Sequence, residues 1–242
     1  KFSKKIKSII VVTTDKVYQN YKTKKYFDEN STLGGDDVYS GSKASCEIVT
    51  NSFRESFYKD SMCNIATVRA GNCFGGGDWT KDRIVKDSLE SFYRNKKLIL
   101  RKPEATRPWQ HVIEPIFGYV LLAQKLSSKK GKKFARAWNF GPSSRQNMKV
   151  IELVKLLRSE LKSKSKIVIN RNFKKIKNKI KIFESKDLNI NSKKVFKALN
   201  WKPKMPIKKA VEITVEWHLA FMKKQNLLNI TKNQILSYLT KA

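Results

Sequence analysis

The chain has 242 residues, 40% of them hydrophobic, enough to bury a substantial core as one domain or as parts of two. No stretch approaches the ~18 uninterrupted apolar residues of a transmembrane helix, so no membrane partner is expected; Cys46, Cys63 and Cys73, odd in number and without Cys-x-x-Cys spacing, speak for reduced thiols in the cytoplasm and against a metal site. The formal net charge of +32 raises nucleic acid as a partner, but lysine far outnumbers arginine and is spread along the chain, densest at 129–133 and 174–181, so it reads as solvated faces and no nucleic-acid function is expected.

In chain order, residues 6–14 are apolar and β-branched, and read as a buried strand ending in Thr13-Thr14-Asp15-Lys16. A loop rich in Asn, Ser, Gly and Asp leads into a helix expected over 37–59. A strand at 64–69, a helix at 82–95, a short strand at 98–100, a helix at 112–127 and a strand at 138–140 follow, the last closed by Gly141-Pro142. Residues 147–162 have helical periodicity with Asn147 as the cap, and 167–169 reads as a strand. The Lys-rich excursion at 173–181 is a loop or a hairpin, and helices are expected at 191–199 and 206–225. Such alternation is the mark of βαβ construction and predicts an α/β fold.

Two groups of polar residues fall at one rim of that fold. Ligands of parallel α/β sheets sit beyond the carboxyl ends of the strands, which is where Thr14, Asp15 and Lys16 lie. Tyr39 and Lys43, in Tyr39-Ser40-Gly41-Ser42-Lys43, are about one helical turn apart, so phenol and ammonium share a face. A neighbouring cation favours phenolate, and a tyrosine that titrates near ~10 needs such help to act as a general base at neutral pH. The same spacing also occurs on solvated helix faces, and Asp15-Lys16 also reads as an ion pair capping a turn.

The runs Thr13-Thr14-Asp15-Lys16-Val17-Tyr18, Leu33-Gly34-Gly35-Asp36-Asp37-Val38-Tyr39-Ser40-Gly41-Ser42-Lys43-Ala44, Arg69-Ala70-Gly71-Asn72-Cys73-Phe74-Gly75-Gly76-Gly77-Asp78-Trp79, Ala105-Thr106-Arg107-Pro108-Trp109-Gln110-His111-Val112 and Ala137-Trp138-Asn139-Phe140-Gly141-Pro142 together carry a resemblance. They resemble the extended short-chain dehydrogenase/reductase superfamily and, within it, the CDP-glucose 4,6-dehydratases. Tyr-x-x-x-Lys identifies only the superfamily; the Gly-Gly-Gly-Asp-Trp and Thr-Arg-Pro-Trp-Gln-His runs are narrower, and 234–239 is similar to the family's closing segment.

The resemblance implies an α/β fold with an incomplete Rossmann-type parallel sheet: residues 1–73 as the C-terminal part of an NAD-binding domain, and 74–242 mostly a nucleotide-sugar domain, with part near 112–142 returning to the first. It implies NAD as cofactor, CDP-glucose as substrate, CDP-4-keto-6-deoxyglucose as product, and an intact enzyme that is a homodimer or higher homo-oligomer. Tyr39 would be the base at the C4 hydroxyl, Lys43 would lower its pKa and hydrogen-bond the nicotinamide ribose, and Thr14 would orient the C4 oxygen. Asp15 would protonate the leaving C6 hydroxyl and Lys16 accept the C5 proton; dTDP-glucose relatives carry glutamate at this second position, which tilts the reading toward CDP-sugars. Arg107 would hold the diphosphate, with Asn72 a further substrate contact and Arg83 a second cation. Trp79 and Trp109 either line the pocket or pack in the core, while His111 and His218 read as structural.

The family opens with a Gly-rich turn that holds the NAD pyrophosphate at a helix N-terminus. Gly75-Gly76-Gly77 leads into Asp78-Trp79 rather than a helix, so the expectation is the C-terminal portion of a longer enzyme, with little activity by itself. The alternatives are a 4-epimerase or reductase on the same scaffold, which has no use for Asp15-Lys16, and a non-catalytic binding fragment.

Overall fold

The computed structural model describes residues 5–19, 26–142, 147–170 and 189–240; the excursion expected at 173–181 lies outside them. The strands are β1 (Ser8–Val12), β2 (Asn64–Ala70), β3 (Cys73–Phe74), β4 (Leu98–Leu100), β5 (Thr106–Pro108), β6 (Gln110–His111), β7 (Ala137–Phe140), β8 (Asn147–Lys149) and β9 (Ile167–Ile169). The helices are α1 (Val38–Phe57), α2 (Ile84–Tyr93), α3 (Ile113–Leu126), α4 (Val150–Glu160), α5 (Lys193–Leu199), α6 (Ile207–Met222) and α7 (Leu227–Thr240), with 3-10 turns at Asp15–Val17 and Gly131–Phe134. The chain forms two units, one within Lys1–Gly71, Glu114–Arg145 and Ser185–Pro203, the other within Asn72–Ile113, Gln146–Glu184 and Lys204–Ala242.

The first unit is built on a parallel sheet in the order β1-β2-β7, with Val12 paired to Val68 and Ala70 to Phe140. Strand alternation divides β2 between two faces. Ala66 and Val68 pack with Leu122 and Leu126 of α3, Trp138 and Phe140 of β7, and Val195, Leu199 and Trp201. Leu122 and Leu126 are fully buried, worth about 2 kcal/mol each. A side chain at Gly118 would place its Cβ 2.3 Å from the Phe140 ring, so glycine there lets α3 approach the sheet. The alternate residues Ile65, Thr67 and Arg69 face α1, where Arg54 Nε donates to the Ile65 carbonyl at 2.9 Å.

In the second unit β3 pairs with β6 and β4 with β9, both parallel, and β5 pairs antiparallel with β8. Val85, Leu89 and Phe92, spaced along one face of α2, meet Leu153, Val154 and Leu157 of α4 and Val211 and Val215 of α6. The helix expected to be capped by Asn147 is instead capped two residues later and begins at Val150. Asn147–Lys149 is taken as a strand by Thr106–Pro108, and the cap is Lys149, whose N–H donates to Glu152 at 3.0 Å. The local pattern was helical, and a tertiary partner overrode its first turn. The two- and three-residue strands β3, β5 and β6 and the helix α7 had no clear local signal.

His111 is buried in β6; its Nδ1 accepts from the Ile113 N–H at 3.2 Å, so the ring proton sits on Nε2. Burial pushes its pKa from 6.5 down to about 4, since a charged ring loses more hydration there than a neutral one. Between those values the unfolded chain binds the proton and the folded chain does not, so stability falls as the pH drops from 6.5 toward 4, by at most about 3 kcal/mol. Thermal melts across that range should show the loss, and it should shrink in His111→Asn, whose amide oxygen keeps the Ile113 bond. An unchanged pH slope in that variant would remove His111 from the account.

Candidate active site

Past Val12 the chain turns instead of extending. Thr14 caps the first 3-10 turn: its Oγ1 accepts from the Lys16 N–H at 3.4 Å and donates to Asp15 Oδ1 at 3.2 Å. Thr14 and Asp15 are buried, Asp15 at 3% exposure, while Lys16 is partly covered. Helix α1 starts where Asp37 accepts from the Ser40 N–H at 2.9 Å and the Ser40 hydroxyl at 2.7 Å. Burial opposes ionisation of Asp37, but these bonds and the nearby Lys16 charge outweigh it, and its carboxyl sits below the usual carboxylate range.

The start of α1 packs on the 3-10 turn and brings the Lys16 ammonium 5.8 Å from the centroid of the Tyr39 ring. Tyr39 is 47% exposed and Lys43, one turn further on, is partly covered. Neither the Tyr39 hydroxyl nor the Lys43 ammonium has a hydrogen-bond partner among the described residues. The structure thus brings Thr14, Asp15, Lys16, Tyr39 and Lys43 to one edge of the first unit. A phenol and an ammonium one turn apart, both with unused hydrogens, are a donor set that fits the ribose diol at the nicotinamide end of NAD.

Asn72, Arg83 and Arg107 belong to the second unit. Asn72 lies just past β2, its carbonyl accepting from the Gln110 N–H at 3.1 Å. Arg83 is exposed and precedes α2. Arg107 is buried in β5, where its Nη1 donates to the Thr106 carbonyl at 2.8 Å. Trp109 is core, its ring edge against Phe74 and its Nε1 donating to the Met148 carbonyl at 3.0 Å. Trp79 is half exposed, its ring centroid 4.5 Å from that of Phe221 with the two planes tilted by 46°. The glycine run beside it serves packing: a Cβ on Gly76 would fall 2.2 Å from the Trp217 indole.

Sequence reasoning passed over the buried polar cluster under this edge. Glu47 Oε1 accepts from Thr13 Oγ1 at 2.5 Å and Arg69 Nε at 2.8 Å; its Oε2 accepts from Thr67 Oγ1 at 2.6 Å and Arg69 Nη2 at 2.9 Å. Arg69 Nη1 donates to the Tyr18 hydroxyl at 2.8 Å, which in turn donates to Asn139 Oδ1 at 2.6 Å. Burial works against the Glu47 charge, yet Arg69, Thr13 and Thr67 outweigh it and hold its carboxyl below the usual glutamate range. Burial pushes the Tyr18 phenol well up, against the pull of Arg69. One signal was available: an arginine inside Ile65-Ala66-Thr67-Val68-Arg69 requires a buried counter-charge, and Glu47 is an acidic residue of α1 on the face toward Ala44.

No helix among the described residues is long and apolar enough to cross a membrane. Among proteins of known activity, the chain is 35% identical, over 97% of its length, to CDP-glucose 4,6-dehydratase from Salmonella typhimurium, and it spans 65% of that relative's length. Among solved structures, it is similar to dTDP-glucose 4,6-dehydratase from Bacillus anthracis in complex with NAD, with a TM-score of 0.70 and 19% identity over 89% of this chain and 63% of that one. UDP-glucose 4-epimerase from Thermotoga maritima with UDP-glucose gives a TM-score of 0.74 and 18% identity over 90% of this chain and 65% of that one. These likenesses share the α/β architecture with parallel strands, and residues 2–214 match the family described as GDP-mannose 4,6 dehydratase. By that match, which runs through both units, the chain belongs to the GDP-mannose 4,6 dehydratase family.

Proposed function

We propose that the chain is the Tyr39-bearing part of an NAD-dependent nucleotide-sugar 4,6-dehydratase that converts CDP-glucose to CDP-4-keto-6-deoxyglucose and water. The observation that carries this reading is the packing of the Thr14-Asp15-Lys16 turn against the start of α1, with Lys16 beside Tyr39. The 35% identity to a CDP-glucose 4,6-dehydratase supports the choice of nucleotide.

NAD supplies a hydride acceptor that gives the hydride back within the same cycle. Lys43 binds the ribose at the nicotinamide end, and Tyr39 takes the proton of the C4 hydroxyl as C4 is oxidised. The Thr14 hydroxyl, which donates to Asp15 in the free protein, turns to hydrogen-bond the C4 oxygen. A C4 ketone acidifies the C5 hydrogen, which Lys16 would accept as a proton in its neutral amine form, with its ammonium proton given up beforehand. Asp15, withdrawn from bulk water, gives its proton to the C6 oxygen, which leaves as water. Lys16 would give its proton back to C5 as the hydride held by bound NAD is restored at C6, so the sugar would be dehydrated with no net oxidation. Arg107 and Asn72 contact the substrate, with Arg83 a second cation. An epimerase would use Tyr39 and Lys43 but leaves Asp15 and Lys16 without a task.

The unbridged Cys46, Cys63 and Cys73 suit a reducing cytoplasm. The exposed stripe Val49, Phe53 and Phe57 on α1 suits pairing of copies in a homo-oligomer. The test of the assignment is product formation by the full-length protein from CDP-, dTDP- and GDP-linked sugars side by side. CDP-glucose is expected to give the highest kcat/KM, and clear preference for another nucleotide would reject the CDP assignment.

A further inference from the structure

The segment that carries Thr14, Asp15 and Lys16 is held at both of its ends by one ion pair. Before it, Thr13 donates to Glu47 at 2.5 Å; after it, Tyr18 accepts from Arg69 at 2.8 Å. Glu47 and Arg69 close on each other through two bonds, at 2.8 and 2.9 Å. Glu47 sits on α1 one turn after Lys43 and two turns after Tyr39, so the three side chains descend along one side of the helix, from exposed through partly covered to buried. The same carboxylate reaches Thr67, and through Tyr18 the pair reaches Asn139, so β1, β2, β7 and α1 meet on it.

We propose that Glu47 and Arg69 are positioning residues: a clamp that fixes the Thr14–Lys16 turn at a set height against the Tyr39 and Lys43 face of α1. The proposal rests on the dehydratase reading for its kinetic consequence and not for its geometry. Two facts point to positioning rather than to stability. A buried ion pair is a weak source of stability, since apolar residues of like volume often serve as well or better. And the pair spends its bonds on the residues that flank the reacting turn, Thr13 and Tyr18, as well as on the sheet. Proton transfers need groups placed within a fraction of an ångström, and a misplacement near 1 Å costs about 100-fold in rate.

The full-length protein with Thr13→Val, Thr13→Ser and the paired change Glu47→Leu with Arg69→Met separates the two roles. Thr13→Val leaves the ion pair in place and removes one end of the clamp; kcat is expected to fall about 10-fold with KM little changed, and Thr13→Ser, which keeps the hydroxyl, to stay near the parent. The paired change is expected to melt within a few degrees of the parent while kcat remains down by about 100-fold. Amide hydrogen exchange gives a second readout that needs no turnover: residues 13–18 should lose protection in the Thr13→Val and paired variants while the amides of β2 keep theirs. Parent-like kcat in a paired variant that melts like the parent, or unchanged protection of residues 13–18 in Thr13→Val, would overturn the clamp. A parent protein that dehydrates no nucleotide sugar rejects the dehydratase reading alone, and the exchange result still decides on the clamp.

Discussion

Tyr39→Phe in the full-length protein is expected to lower kcat for CDP-glucose by about 1,000-fold, because in the proposed mechanism the phenol oxygen takes the first proton of the cycle and no ketone forms without it. The ring itself is half exposed and its hydroxyl has no partner among the described residues, so folding should not change. Single-turnover reduction of the nicotinamide, followed by its absorbance, should slow as much as product formation, since both wait on the same proton. A variant that turns over within tenfold of the parent would exclude Tyr39 as that base.

The elimination step predicts the opposite signature. Asp15→Asn preserves the shape of the side chain and a hydrogen-bond acceptor for Thr14, but cannot protonate the C6 oxygen. Oxidation at C4 should proceed and water loss should stall, so reduced nicotinamide accumulates while dehydrated product falls by about 100-fold or more. In the proposed cycle the parent returns the hydride at each turnover and should show only a small transient. If Asp15→Asn loses the reduction signal in step with product while substrate binding and folding stay intact, the division of labour between Tyr39 and Asp15 is wrong.

Much of the first unit was legible because its signals are local. The run Ile9-Ile10-Val11-Val12 is strand-like whatever surrounds it, and the shape of an N-cap is written in the sequence: Asp37, expected near the start of the helix, became its cap through two bonds to Ser40. From those two elements and the rule that ligands collect at the carboxyl ends of parallel strands, the edge holding Thr14, Asp15, Lys16, Tyr39 and Lys43 followed. The second unit was harder to read. Its short strands exist only because a partner pairs with them, as Asn147–Lys149 shows by leaving a helical pattern to join Thr106–Pro108.

The sequence by itself determined the order of the longer strands and of the helices as far as α6, and which side-chain types stand at the edge of the first sheet, because periodicity, caps and side-chain type are properties of neighbours in the chain. Only the tertiary structure decided what lies beneath. Thr13, Glu47 and Arg69 are separated by 34 and 22 residues, yet meet around one buried carboxylate. Tyr18 and Asn139 are 121 residues apart and joined at 2.6 Å. A charge inside a strand announces that a partner must exist, since an unpaired ion cannot stay buried, but which of the chain's acidic residues answers it depends on how helix and sheet pack.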